Sequence, residues 1–215
     1  MTEAQWPGER VEADEDEGDV EELEEEDELE PEDVEEEEEL PRLRAAGEHA
    51  EGELEIPDDV RVLEGSAVGG RRGVGIVVAR FNAEITSRML EVAIDELERA
   101  GVGRDAITVM PVPGAFELPL AAMALAKTRR FACIVALGCI IRGETPHFDF
   151  IASEAASGLQ LAGLETGVPV AFGVLTVENV EQAEARVAKG AEAVRTALEM
   201  ADAFSQLRAA AAQSR

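Results

Sequence analysis

The 215-residue chain contains no tyrosine, one tryptophan, two cysteines and two histidines. Cys133 and Cys139 both lie in or beside one apolar run, so a reduced, cytoplasmic chain is a simpler reading than a disulfide framework. His49 and His147 are the only imidazoles, which argues against a His-based metal site. The longest apolar run, Phe131 to Leu137, stops at Gly138 and falls far short of the ~18–20 residues of a membrane span. The acidic N-terminal stretch has no cationic segment ahead of an apolar core, so it does not read as a secretory signal. Basic residues are nowhere in excess, and a nucleic-acid backbone would find no complementary surface.

What the chain has in abundance is negative charge, unevenly placed. The net charge is −28; residues 1–59 hold 29 Asp and Glu against 3 Arg, whereas residues 60–215 hold 18 acidic against 16 basic side chains. A nearly neutral domain, large enough to bury a core, therefore carries an acidic arm. Between Glu12 and Glu39, 21 of 28 residues are acidic. The scattered Val20, Leu23, Leu29, Val34 and Leu40 cannot offset the entropy of ordering such a self-repelling segment, and Pro31 and Pro41 would interrupt a helix. The composition predicts a disordered arm over 1–57, a folded domain over 58–206 and a tail over 207–215. The arm reads either as a solubilising tail or as an electrostatic lure for a cationic protein.

Within the domain, Val60 to Gly65 reads as a short lead-in strand. Val74 to Ala79 is an apolar, β-branched run of the kind buried on both faces of a sheet. Ile85, Met89, Ala93, Leu97 and Ala100 then fall on one helical stripe that ends at Gly101. Strands over 107–112, 131–137 and 168–175 follow, with helices over 118–129, 148–165 and 178–205, the last readable as one helix or two. Strands alternating with helices predict βαβ units in a three-layer α/β/α sandwich, with a four-stranded, mostly parallel sheet plus the lead-in strand. In such sheets ligands bind beyond the carboxyl ends of the strands. That places the loops Arg80–Asn82, Pro113–Glu117 and Ile141–His147 together.

Those loops hold the candidate chemistry. His147 is the only histidine of the domain, and imidazole is the side chain best suited to proton transfer near neutrality; alternatively it caps a helix start. Phe81, at a strand's carboxyl end, is either a stacking platform for a planar ligand or a core residue turned under the sheet. Glu117 stands near Gly114, where a backbone can approach a ligand; it reads as an acceptor for hydroxyl groups or as a first-turn acid favoured by the helix dipole. Arg142, Gly143 and Thr145 lead into a helix whose N–H groups can hold an anion. Arg186 and Lys189 read as phosphate-binding cations or as solvated helix-face charges. Cys139 has no basic sequence neighbour to lower its pKa and reads as a packing residue.

Several segments, in this order, resemble one family: Gly75-Ile-Val-Val-Ala-Arg-Phe-Asn82, Val112-Pro-Gly-Ala-Phe-Glu-Leu-Pro119, Leu137-Gly-Cys-Ile-Ile-Arg-Gly-Glu-Thr-Pro-His-Phe-Asp149, Gly167-Val-Pro-Val-Ala-Phe-Gly-Val-Leu-Thr176, Glu181-Gln-Ala183 and Ala197-Leu-Glu-Met200. The resemblance is to lumazine synthases of riboflavin biosynthesis and covers about residues 60–204. It implies a flavodoxin-like fold and condensation of 5-amino-6-(D-ribitylamino)uracil with 3,4-dihydroxy-2-butanone 4-phosphate, without metal or organic cofactor. It further implies that Phe81 stacks on the pyrimidine, that Ala115, Phe116 and Glu117 bind the ribityl side, and that Cys139, Ile140 and Ile141 contact the pyrimidine through their backbone. Glu144 and Thr145 would line the phosphate pocket and His147 would move protons. Phe172 and Arg186 would come from a neighbouring subunit of a pentamer or sixty-subunit shell, with Arg186 on the phosphate.

One departure stands out. Where the family has a Gly-rich loop between its arginine and an Asn-Lys-Gly, only Val187 and Ala188 separate Arg186 from Lys189-Gly190. This departure and the acidic arm suit a non-catalytic assembly protein, the second reading. A generic flavin- or nucleotide-binding module is disfavoured, because no phosphate-binding glycine fingerprint follows the first strand.

Overall fold

The computed structural model describes residue 57 and residues 59–213. The expected disordered arm over 1–57 lies, Pro57 apart, outside the described residues.

Four strands form the sheet: β1 (Val74–Ala79), β2 (Ile107–Val112), β3 (Cys133–Ile141) and β4 (Val170–Val177). They are all parallel and lie in the order β2-β1-β3-β4. The central strands β1 and β3 are buried almost throughout, as their unbroken apolar runs require. Their residues alternate between two cores. Val74, Ile76, Val78, Val135 and Leu137 face one side; Val77, Ala79, Ile134 and Ala136 face the other.

The connecting helices are α1 (Ala83–Arg99), α2 (Leu118–Lys127), α3 (His147–Thr166), α4 (Val180–Glu184) and α5 (Lys189–Gln213). Helices α1 and α5 pack together over the first core, where Met89, Leu97 and Leu198 are fully buried. Helices α2 and α3 cover the second, with Leu118 and Leu159 buried. Each such side chain withdrawn from water stabilises the fold by about 1.5–3 kcal/mol. The result is a three-layer α/β/α sandwich in the flavodoxin-like strand order.

Strand β4 lies two residues later than expected, β3 starts two later and α2 ends two earlier; three larger differences from the sequence expectation have identifiable causes. Val60 to Gly65 is not a strand. It is held against α5 by side chains: Gln206 donates to the Glu64 carbonyl at 2.9 Å, and Asp202 accepts from the Ser66 N–H at 3.0 Å. Arg72 also pairs with Asp202. A β-type pattern becomes a strand only where another strand offers a ladder, and among the described residues none pairs with this segment. Second, β3 runs on through Gly138 to Ile141, because Ile140 and Ile141 pair with Thr176 and Val177 of β4; the predicted loop is correspondingly shorter. Third, α5 continues through the boundary expected at 206 as far as Gln213. The 178–205 region does form two helices, interrupted at 185–188.

Candidate active site

At the carboxyl ends of β1, β2 and β3 the loops enclose a cavity of about 780 Å³, a size suited to a small organic ligand. Three structural devices build it.

The first sets Phe81. Beyond β1, the Arg80 N–H donates to the Val112 carbonyl at 2.8 Å and the Phe81 N–H to the Pro113 carbonyl at 3.1 Å, which fasten this turn to the end of β2. Asn82 adopts the left-handed conformation at φ 58°, which Asn tolerates better than most residues, and serves as the N-cap position of α1. Its side-chain amide donates to the Cys139 carbonyl at 2.9 Å. Phe81 is thereby left 71% exposed on the cavity wall, not buried under the sheet.

The second sets Glu117. Residues Ala115–Glu117 form a single tight helical turn after β2, leading directly into α2. One Glu117 carboxylate oxygen accepts from the Gly114 N–H at 2.9 Å. Together with the Glu117 N–H, which donates back to the Gly114 carbonyl at 3.3 Å, this bond orients the carboxylate at the cavity edge beside Ala115 and Phe116.

The third is the β3–α3 junction. Cys139, Ile140 and Ile141 form the cavity floor, Gly143 and Thr145 its rim, and His147, the first residue of α3, its side. The N-terminal turn of this 20-residue helix, where the Asp149 N–H donates to the Pro146 carbonyl at 3.0 Å and no side chain among the described residues caps the others, places N–H groups and a partial positive charge near the rim. Burial pushes the Cys139 thiol up to about 11, which disfavours the reactive thiolate at neutral pH. Among the described residues no cluster of three or more His, Cys, Asp or Glu is arranged to hold a metal ion.

The cavity thus gathers Phe81, Ala115, Phe116, Glu117, Cys139, Ile140, Ile141, Thr145 and His147 from the sequence-predicted set. It does not gather Glu144, Phe172, Arg186 or Lys189. Glu144 is exposed in the turn before α3. Phe172 lies on the edge strand β4, 47% exposed. Arg186, between α4 and α5, is exposed, and its guanidinium donates to the Gln182 carbonyl one turn back at 2.9 Å. Lys189 is paired with Glu192 at 2.7 Å.

The sequence reading missed Asn82 as a tie and Phe148, Phe150 and Ile151 as lining residues. The lining had a usable signal: His147, Phe150 and Ile151 stand at i, i+3 and i+4 on one helix face. Arg142, read as a candidate anion ligand, is instead engaged by carboxylates. Its guanidinium contacts Glu178 at 2.8 Å and Asp149 at 3.3 Å and lies 4.2 Å from the centre of the Phe148 ring.

An exposed aromatic wall, an oriented carboxylate, an imidazole and a helix N-terminus around one cavity form a site able to hold a planar, hydroxylated ligand beside an anion and to move protons between them. Residues 72–205, most of the chain, from just before β1 into α5, match the sequence pattern of a known family. The chain belongs to the 6,7-dimethyl-8-ribityllumazine synthase family.

Proposed function

We propose that the protein is a working lumazine synthase. It condenses 5-amino-6-(D-ribitylamino)uracil with 3,4-dihydroxy-2-butanone 4-phosphate and releases water and phosphate, without metal or organic cofactor. The observation that carries this reading is the convergence of Phe81, Glu117 and His147 on one cavity.

In this reading the Phe81 ring stacks on the pyrimidine, and Glu117, whose second oxygen is not used by Gly114, accepts hydrogen bonds from the ribityl hydroxyls. Ala115 and Phe116 flank that chain, and the backbone of Cys139, Ile140 and Ile141 meets the pyrimidine. The butanone phosphate sits by Glu144 and Thr145, at the N-terminus of α3. Imine formation, phosphate loss and ring closure each move protons, which His147 supplies and takes up. Juxtaposing the two substrates supplies a further part of the acceleration. Phe172 and Arg186, which do not line this cavity in their own protomer, complete the cavity of a neighbour in a cytoplasmic pentamer or sixty-subunit shell. Lys189, already paired, is the weaker phosphate ligand of the two cations. The acidic arm acts outside the chemistry, on assembly or on a cationic protein partner.

His147→Ala tests the assignment. Product formation falls by about 10²–10⁴, while particle mass in solution stays the same. Unchanged turnover would remove His147 from its role. A second reading, a non-catalytic assembly protein, is favoured by the shortened segment between Arg186 and Lys189; it predicts that even the wild-type chain forms no product.

A further inference from the structure

The Arg142 side chain occupies an unusual position for a cation beside a site that takes a phosphate. Its Nε donates to both carboxylate oxygens of Glu178, at 2.8 and 3.1 Å, and its Nη1 to Asp149 at 3.3 Å. The Phe148 ring lies against its flat face at 4.2 Å. Its own N–H donates to the Val177 carbonyl at 2.9 Å, so the backbone on which it stands is the last rung of the β3–β4 ladder.

These contacts join three elements. Glu178 follows β4, and its N–H donates to the Gln182 side chain at 3.0 Å, inside the cap of α4. Phe148 and Asp149 belong to the first turn of α3. Between the two anchors lies only the turn Gly143–Pro146, and directly after it His147. Among the described residues no side chain hydrogen bonds to the His147 ring, so the place of that ring depends on where the first turn of α3 sits. Each ion pair is partly solvated, and pairs of this kind contribute little to global stability. Their geometric effect is larger, because a planar fork gripped by two carboxylates and a ring fixes orientation.

We propose that Arg142 is a positioning residue: clasped by Glu178, Asp149 and the Phe148 ring, it locks the first turn of α3 and thereby aims His147 into the cavity. The proposal rests on the synthase reading for its kinetic consequence but not for its structural one. It also turns Arg142 away from a role centred on the phosphate, since its Nε and Nη1 are directed at protein carboxylates.

Full-length wild type, Arg142→Ala, Arg142→Lys, Glu178→Ala and the double variant Arg142→Ala/Glu178→Ala separate the possibilities by hydrogen exchange and by steady-state kinetics. In both alanine single variants, the α3 amides that donate to carbonyls of its first turn exchange about tenfold faster or more, with those of α5 unchanged. Turnover falls ~10–100-fold, in line with loss of alignment at a reacting centre, while KM for the butanone phosphate stays within about threefold. The double variant is no worse than either single one, and Arg142→Lys, with charge but no fork, recovers only part. Unchanged exchange in Arg142→Ala overturns the proposal. So does a KM for the butanone phosphate that rises more than tenfold at constant turnover, which would make Arg142 a phosphate ligand. A wild type without turnover would refute the synthase reading, and the exchange measurement would still decide the role of Arg142.

Discussion

The Asn82 side-chain amide donates to the Cys139 carbonyl at 2.9 Å, tying the turn after β1 to the end of β3. One residue thus serves the fold and the site: it holds a left-handed backbone at φ 58° and sets the adjoining Phe81 against the cavity. Asn82→Ala removes the tie and places an ordinary side chain in the left-handed region, a combined loss of about 1–3 kcal/mol. Asn82→Gly loses the tie but not the conformation and is the more stable variant. Urea unfolding at equal protein concentration checks the order; an alanine variant as stable as the glycine one would contradict it.

Gly190, in the first turn of α5, packs against α1 so closely that an added Cβ would sit 2.5 Å from the Met89 carbonyl oxygen. Helix propensity alone favours Gly190→Ala by about 1 kcal/mol. Overpacking against a backbone atom works the other way by about 1–3 kcal/mol, so the clash prevails and the variant is less stable. A raised unfolding midpoint would show that α5 moves away freely. Because Arg186 lies just before this contact, the variant also displaces the cation proposed to serve a neighbour's site.

Asp202 anchors the segment before β1. Hydrogen bonds from Gln206 first, then from the Ser66 N–H, hold its carboxyl below the usual carboxylate range despite the opposing effect of desolvation. A carboxyl depressed in the folded state stabilises the fold above its unfolded pKa and loses that contribution as pH falls through the folded value. Wild type is therefore more stable than Asp202→Asn near neutrality, and the difference shrinks as the solution is acidified. A difference that grew toward acid pH would reverse the assignment.

Burial pushes the thiol of Cys133 up to about 12, against a smaller opposing effect of Arg72, and that of Cys139 up to about 11. Since the thiolate is the reactive form, alkylation of the native protein at neutral pH proceeds about 100-fold more slowly or more than in urea. Rapid native labelling of Cys139 would mean that the cavity floor opens.

The sheet was legible wherever an apolar run has no alternative use. Val74–Ala79 and Ile107–Val112 stand where their residues predict. Val60–Gly65 was misread because alternation reveals what a segment can do, not whether a partner strand exists. The end of β3 was misread for a different reason. Gly138 looked like a stop, but a Cβ there would meet the Leu118 side chain at 3.0 Å, so this glycine marks close packing and not a turn. At the site, the cavity collects most residues singled out by motif, whereas the contacts of Arg142 with Glu178, and of Asn82 with Cys139, join residues 36 and 57 positions apart, which no local pattern encodes.

The most direct measurement mixes the full chain with the two substrates and follows lumazine and inorganic phosphate together. The account predicts both in equal amounts, at a rate far above the uncatalysed background and sharply reduced by His147→Ala. A folded chain that forms no lumazine above background would contradict it.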